Sequence, residues 1–178
     1  MNPGAKILGS GKFLRLIDDA GWEYTERVSA SGVVVIVALT DAGELILVEQ
    51  FRHALNARVL ELPAGLVGDK SEFEGEAFES AALRELEEET GFLASKMDFL
   101  TSGPSAAGSS NTLIHFYLAT GLKRTGPGGG DEHEDIQVHT VPLSEAEALF
   151  KTREAEGCLL DAKLFTGLYF AHRHLMRL

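Results

Sequence analysis

The sequence predicts an α/β protein in which a mixed β-sheet lies between helices. Residues 33–39 are apolar at every position, as in a central strand that is covered on both faces. Other short strand patterns end at turn signals such as Pro63-Ala64-Gly65. A helical pattern over residues 77–90 separates the early strands from the late ones. A mixed sheet between helices is the simplest assembly of these parts.

The strand patterns occur along most of the chain. Residues 1–30 contain a predicted strand pair, which we separate from a main domain at residues 31–178. The pair is joined by a turn at residues 18–21. The predicted strands are residues 12–17, 22–28, 33–39, 45–51, 59–62, 97–100, 112–119 and 136–141.

Helix boundaries and loops are indicated by single residues. Gly91 stands where a helix often ends in a left-handed residue. Residues 125–130 are rich in glycine and predict a flexible loop. Ser144 with Glu147 matches a capping box that opens a short helix, and Asp161 can cap a helix that reaches the C-terminus.

Composition excludes several classes of partner. The 178 residues include 16 Lys and Arg against 27 Asp and Glu, a formal charge of −11, which repels nucleic acid and anionic membranes. A small phosphate ester can still bind if a divalent cation neutralises the site. The single cysteine, Cys158, excludes an internal disulfide and favours a cytoplasmic setting. The longest apolar run is too short to span a bilayer.

The helix at residues 77–90 has acidic residues on its apolar side. At about 100° per residue, Glu85 and Glu89 fall on the face defined by Phe78, Ala81 and Ala82. Burying carboxylates together is costly unless cations compensate them, and magnesium prefers such oxygen ligands. The pattern alone therefore leaves two interpretations open: a metal site, or an ordinary exposed glutamate-rich helix.

Residues 84–92, which read RELEEETGF, match the signature of the Nudix hydrolase family at every defining position. Glu76 resembles the upstream glutamate of that signature and Gly65 its upstream glycine. The spacing between these two departs from the family pattern by an insertion at residues 71–75. Arg84 and Glu88 are four residues apart, so they can pair and orient Glu88.

Three further segments resemble one branch of this family, the ADP-ribose and nucleoside diphosphate sugar pyrophosphatases. They are residues 48–52 (VEQFR), 61–65 (ELPAG) and 132–136 (EHEDI). The resemblance implies a Nudix-like α/β/α sandwich with a mixed sheet and an N-terminal β-hairpin extension. It also implies a homodimer that exchanges N-terminal strands. The expected reaction cleaves the pyrophosphate of a small nucleoside diphosphate derivative, giving a nucleoside monophosphate and a sugar phosphate.

The resemblance also assigns roles at a metal site. It implies Mg²⁺, with Mn²⁺ as a substitute, held by Glu85, Glu89 and the carbonyl of Ala64, with Glu88 sharing a second ion. Glu134 would add a ligand from a loop. Glu132 is the expected general base, although Glu134 could exchange roles with it. Arg84 is expected among the catalytic residues because it orients Glu88.

Four residues are expected on the substrate side. Arg52, at the end of an apolar strand, would contact a phosphate or the distal sugar, unless it only forms a surface ion pair. Gly65, in the segment of residues 61–65, is also expected to bind substrate. Residues 103–111 resemble the substrate loop of the family. Asn111, at the end of this segment, stands where relatives often carry glutamate. Trp22 could stack on a base across a dimer interface or pack within the hairpin, and the sequence slightly favours packing.

Other functions remain open at this point. Within the same family, the substrate could be a nucleoside triphosphate or a dinucleoside polyphosphate. A non-catalytic ADP-ribose sensor would keep the fold but lack some metal glutamates. A simple acidic ion binder would bind a divalent metal without hydrolysing a nucleotide.

Overall fold

A computed structural model describes residues 2–69, 71–130 and 134–176 of the chain. Within these residues the chain forms strands and α-helices, named here in chain order. The strands are β1 (Lys6–Ser10), β2 (Leu14–Asp19), β3 (Trp22–Arg27), β4 (Gly32–Leu39), β5 (Glu44–Arg52), β6 (Ala57–Glu61), β7 (Ala64–Val67), β8 (Phe92–Pro104), β9 (Leu113–Arg124), β10 (Gln137–Pro142) and β11 (Leu159–Leu160). The helices are α1 (Phe78–Thr90), α2 (Ala146–Ala155) and α3 (Lys163–Leu175). None of the helices in the described part is both long enough and apolar enough to cross a membrane.

The first three strands form an antiparallel sheet of their own, in the order β1-β2-β3. The predicted hairpin is confirmed: β2 and β3 pair around Ala20 and Gly21, both with positive φ. Strand β1 was not predicted, because its residues show little apolar alternation. Thr25 ties this sheet to the main domain, since its N–H donates to the carbonyl of Ser109 at 2.8 Å.

The main sheet has the order β11-β6-β5-β4-β9-β8, with β10 beside β5 and β7 beside β4. Strand β4 is central, as its apolar run predicts. It pairs in parallel with β9 and antiparallel with β5 and β7. The sheet is therefore mixed, as predicted.

Alternate residues of β4 point to two different cores. Val34 and Ile36 pack with the buried face of α1, whereas Val35 and Val37 pack with residues of α2 and α3 such as Phe150. This alternation follows from the two-residue period of a strand. Helices cover both faces of the sheet, so the predicted α/β/α sandwich is confirmed.

The chain reverses sharply after β6. The strand ends at Glu61, as the Pro63-Ala64-Gly65 signal predicts, but it then continues directly into β7, which was not predicted. Strand β7 is four residues long and pairs with β4. As a result, Ala64 and Gly65 lie beside the central strand and face α1.

Helix α1 begins one residue later than predicted and ends as expected. Gly91 follows it with φ of 70°, and its N–H donates to the carbonyl of Glu87. Ala81, Ala82 and Leu86 are fully buried against the sheet. Burying a leucine side chain contributes about 1.5–3 kcal/mol, so this apolar face fixes the rotation of the helix.

The two C-terminal helices differ in how well the sequence predicted their starts. The capping box of Ser144 and Glu147 is wrong: residues Leu143–Glu145 form a 3-10 turn and α2 begins after it without a side-chain cap. The extra turn places Ser144 too early to cap. Asp161 does contribute at the start of α3, since its carboxylate accepts a hydrogen bond from the N–H of Lys163 at 2.8 Å.

Candidate active site

A cleft of about 460 Å³ opens where β7, α1 and the loop after β9 meet. Its charged lining includes both signs. The acidic side chains are Glu61, Asp69, Glu85, Glu88, Glu89 and Glu134, and the basic ones are Arg27, Arg52, Arg84 and Lys163. The cleft therefore combines carboxylates suited to a metal with cations suited to phosphate.

Glu89 is the most deeply buried carboxylate of α1, with 3% of its surface exposed. Its Oε2 accepts a hydrogen bond from the N–H of Ala64 at 2.9 Å. Burial raises the pKa of Glu89 well above its ordinary value; the hydrogen bond from Ala64 lowers it, and the nearby charges of Glu85 and Glu134 raise it. The predicted position of Glu89 on the apolar face is thus confirmed.

Glu85 lies against the backbone of Gly65. A Cβ on residue 65 would overlap the Glu85 carboxylate, so glycine is required there for this side chain to reach the cleft. Burial raises the pKa of Glu85 to about 7; Arg84 lowers it, whereas Glu88 and Asp69 raise it. The cleft therefore holds carboxylates that are costly to ionise without a cation.

Arg84 is the cation closest to these acids along the helix. Its guanidinium lies 3.1 Å from Glu76, 2.9 Å from Glu85 and 3.1 Å from Glu88. The predicted pairing with Glu88 is confirmed, and Glu76 acquires a position as a partner of Arg84. The inserted segment contributes as well: Ser71–Phe73 form a 3-10 turn, and the ring of Phe73 lies 4.2 Å from the Arg84 guanidinium.

The donors of the cleft fit a hard divalent cation. Glu85, Glu89 and Glu134 line one cavity, and the charges of Glu85 and Glu134 raise the pKa of Glu89. A hard cation with oxygen ligands would remove that repulsion. Among the described residues, no three His, Cys, Asp or Glu side chains are already arranged as a ligand set. Two of the helix glutamates instead contact Arg84.

The backbone of Ala64 is placed beside Glu89, but the contact observed is made by its N–H. Ligation through the Ala64 carbonyl stays a prediction. Glu134 lines the cleft, as expected for a loop residue of the site. Glu132, the expected general base, lies outside the described residues, so the choice between these two glutamates stays open.

Arg52 lines the cleft and also forms an ion pair, and its contact with substrate stays a prediction. It lines the cleft, and its Nε donates to the Glu61 carboxylate at 3.0 Å and 3.1 Å. Its side chain is 41% exposed, so the guanidinium keeps a face toward the cleft. The ion pair with Glu61 holds Arg52 in place without removing it from the site.

Two basic residues of the cleft escaped the sequence analysis. Arg27 ends β3 and its buried Nε finds no acceptor among the described atoms. Burial lowers the pKa of Arg27, and the charge of Asp69 opposes that effect. Lys163 opens α3 and pairs with Asp161. Neither belongs to a motif, because the packing of the N-terminal sheet and of α3 brings them to the cleft.

Two predicted substrate residues lie away from the cleft. Trp22 is 77% exposed, so the packing role that the sequence slightly favours is wrong for this chain. Asn111 donates to Glu26 at 2.9 Å and lines a smaller adjoining cavity of about 220 Å³. Asn111 does not line the main cleft, but Arg27 and Thr112 line both cavities.

Comparison with known proteins agrees with this geometry. The model of the NUDIX domain family matches residues 30–162, and the chain belongs to the Nudix family. It is 39% identical over 143 residues to an ADP-ribose pyrophosphatase of Bacillus subtilis, covering 78% of this chain and 70% of that protein. It is 37% identical over 129 residues to a methanol dehydrogenase activator of Bacillus methanolicus, covering 72% of this chain and 67% of that protein.

A solved structure shares the fold. The crystal structure of an ADP compounds hydrolase superposes with a TM-score of 0.73, covering 98% of this chain and 92% of that chain. The sequence identity is 22%, so this likeness concerns the fold alone. The predicted family and the predicted sandwich are both confirmed.

Proposed function

We propose that the protein hydrolyses the pyrophosphate bond of ADP-ribose or another nucleoside diphosphate sugar, with Mg²⁺ as its metal. The observation that carries this proposal is one cleft with buried glutamates of α1 on one side and arginines beside them. A diphosphate carries charge that needs both a metal and cationic side chains. The relative from Bacillus subtilis, named as an ADP-ribose pyrophosphatase, supports this choice of substrate.

Glu85, Glu88, Glu89 and the carbonyl of Ala64 would hold magnesium, with Glu134 adding a ligand. When bound, magnesium neutralises phosphate charge and lowers the pKa of water at the site, and Mn²⁺ can do the same. Arg84 would orient Glu85 and Glu88 toward the cleft through its contacts with both.

The chain itself supplies the proton acceptor and the phosphate contacts. Glu134 or Glu132 would take a proton from the attacking water, a contribution of roughly 10² to 10⁴-fold in rate. Arg52 and Arg27 would bind phosphate oxygens through their planar guanidinium groups. With ADP-ribose, the products are AMP and ribose 5-phosphate.

We also propose that two copies associate through the N-terminal sheet, which would place Trp22 near a partner's substrate. Large apolar side chains are exposed on this sheet and next to it: Ile7, Leu8, Phe13, Leu14, Leu16, Trp22 and Val28. Exposed patches of this kind mark interaction surfaces. Residues 1–30 would then be a dimerisation element and residues 31–178 the catalytic domain. Light scattering of the full chain measures its mass in solution. A monomeric mass would contradict the proposed association of two copies.

Substrate choice is tested by a panel of ADP-ribose, other nucleoside diphosphate sugars, nucleoside triphosphates and dinucleoside polyphosphates. We expect Mg²⁺-dependent release of monophosphate from the diphosphate sugars, and almost none from Glu89→Gln. Exclusive turnover of triphosphates or dinucleoside polyphosphates would sink the substrate assignment. Binding of ADP-ribose without any turnover would favour a regulator instead, and binding of metal alone would favour a simple ion binder. A cytoplasmic location stays a prediction.

A further inference from the structure

The glycine-rich segment after β9 is hydrogen-bonded to the end of α1. We name residues 125–130 the glycine brace. The N–H of Gly129 donates to the carbonyl of Glu89 at 2.9 Å, and that of Gly130 to the carbonyl of Glu88 at 3.1 Å. Carbonyls in the last turn of a helix have no partner within the helix. The brace supplies those partners, so the segment predicted to be flexible is instead tied to α1.

The approach of the brace to α1 is close enough to require glycine. Gly128 has φ of 71°, and a Cβ there would lie 2.7 Å from the carbonyl oxygen of Glu89 and 2.7 Å from the Cα of Thr90. Both are backbone atoms, which cannot swing aside as a flexible side chain can. Any larger residue at 128 must therefore push the brace and the last turn of α1 apart.

The other side of the brace contacts the loop carboxylate of the cleft. A Cβ on Gly130 would lie 2.8 Å from the Cβ of Glu134 and 3.0 Å from the Cδ1 of Ile136. The N–H of Ile136 also donates to the carbonyl of Gly129 at 3.4 Å. Gly130, whose N–H donates to the carbonyl of Glu88, thus also packs directly against Glu134.

We propose that the glycine brace sets the distance between the helix carboxylates and Glu134, and that Gly128 and Gly130 are positioning residues for the hydrolysis. The inference rests on the proposed function. It explains why glycines stand at positions 128 and 130, between β9 and the acidic loop, because a Cβ at either position would lie under 3.0 Å from a neighbouring atom. Displacing a catalytic group by about 1 Å can lower a rate by about 10²-fold.

Gly128→Ala in the full-length chain is the principal test, assayed with ADP-ribose and saturating Mg²⁺. We expect kcat to fall by about 10²-fold, while KM stays within about twofold because the phosphate contacts of the arginines are unchanged. Gly157→Ala is the matched control. Gly157 also has a positive φ, of 90°, but a Cβ there meets nothing within 4 Å, and Gly157 does not line the cleft.

Gly130→Ala provides a second variant, because its new Cβ would press on the side chain of Glu134 and not on the backbone of α1. We expect its kcat to fall by about 10-fold. Its melting temperature should equal that of Gly157→Ala. If Gly128→Ala does not fold, the kcat of Gly130→Ala tests the inference in its place.

The outcomes separate the brace from the proposed function. If the wild type is active and both brace variants keep the kcat of Gly157→Ala, the brace has no positioning role and the inference is overturned. An equal fall of kcat in Gly157→Ala would overturn it too. A wild type that binds ADP-ribose but turns nothing over rejects the proposed function and this inference together.

Discussion

The α-carbon of Gly65 lies directly against the carboxylate of Glu85. The two residues belong to different elements, β7 and α1, so this contact fixes how close the turn after β6 comes to α1. Because any Cβ at residue 65 would occupy the position of the carboxylate, the contact gives a sharp test of the site.

We predict that Gly65→Ala displaces Glu85 and lowers kcat by about 10²-fold while the protein still folds. The rate should fall because Glu85 must turn away from the cleft to admit the methyl group. Steady-state kinetics and the circular dichroism spectrum check this. Gly157→Ala, where a Cβ meets nothing within 4 Å, is the control and should keep the wild-type kcat. Normal turnover by Gly65→Ala would remove Glu85 from the mechanism.

Glu89→Gln should stabilise the metal-free protein at neutral pH, although it removes turnover. The pKa of Glu89 is raised above 4.5, first by burial, so the folded state binds its proton more tightly than the unfolded state. The stability that the protonated group provides is present below about pH 4.5 and is lost as the pH rises through the folded pKa. Glutamine stays neutral and keeps an acceptor for the Ala64 N–H.

Thermal unfolding in EDTA at several pH values between roughly pH 5 and 8 measures this effect. The melting temperature of Glu89→Gln should exceed that of wild type by an amount that grows with pH. Added Mg²⁺ should raise the wild-type value and leave the variant nearly unchanged. A variant that is less stable than wild type throughout would contradict the burial of an ionisable Glu89.

Arg27→Ala should raise KM by roughly 10- to 100-fold with little change in kcat, since a charge-assisted hydrogen bond contributes about 1.5–3 kcal/mol. The side chain lines the cleft and its Nε lacks an acceptor among the described atoms, so its loss should not lower the melting temperature. Arg173→Ala, exposed on α3, is the charge-matched control. A destabilised Arg27→Ala with unchanged KM would show that Arg27 serves the fold only.

Glu49→Gln should destabilise the protein at pH 7 by less than the roughly 3–5 kcal/mol of a fully buried pair, because the arginines left without their anion are partly exposed. Glu49 is 2% exposed and accepts hydrogen bonds from Arg58 and Arg153, each at 2.8 Å. Burial acts to raise the pKa of Glu49, but these arginines outweigh it and the pKa is lowered. Its stabilisation is therefore present above about pH 4.5 and is lost as the pH falls through the folded pKa.

Urea unfolding at several pH values checks this prediction. The difference between wild type and Glu49→Gln should be largest near neutral pH and should shrink in acid. Glu154→Gln, an exposed position on α2, removes the same charge without a buried partner and should change little. A pH-independent deficit in Glu49→Gln would show that packing, and not charge, explains the loss.

The sequence predicted those parts of the fold that depend on local patterns. The apolar run of β4 indicated a central strand, and the period of α1 placed Glu85 and Glu89 on the buried face. Strands β1 and β7 were missed because neither has an apolar alternation, and each exists through its pairing partner. The capping box at Ser144 failed because a 3-10 turn takes precedence there.

The site was predictable where one short segment carries it and unpredictable where distant segments meet. Residues 84–92 indicated the carboxylates and the Arg84–Glu88 pair. Arg27 and Lys163 have no signal of their own, because their place in the cleft depends on how the N-terminal sheet and α3 pack. Trp22 and Asn111 were assigned by resemblance, and this single chain places them outside the main cleft.

The parallel pairing of β4 with β9 has a consequence for the order in which the protein can form. Val33 pairs with Ile114, and α1 lies between them along the chain. Contacts between positions so far apart form late, since a long loop must close first. During synthesis, the helix with its glutamates leaves the ribosome before β9 exists, and its apolar face has only part of its sheet to pack on. The nascent chain therefore exposes that face until β9 is added, and this interval is when it would most need a chaperone.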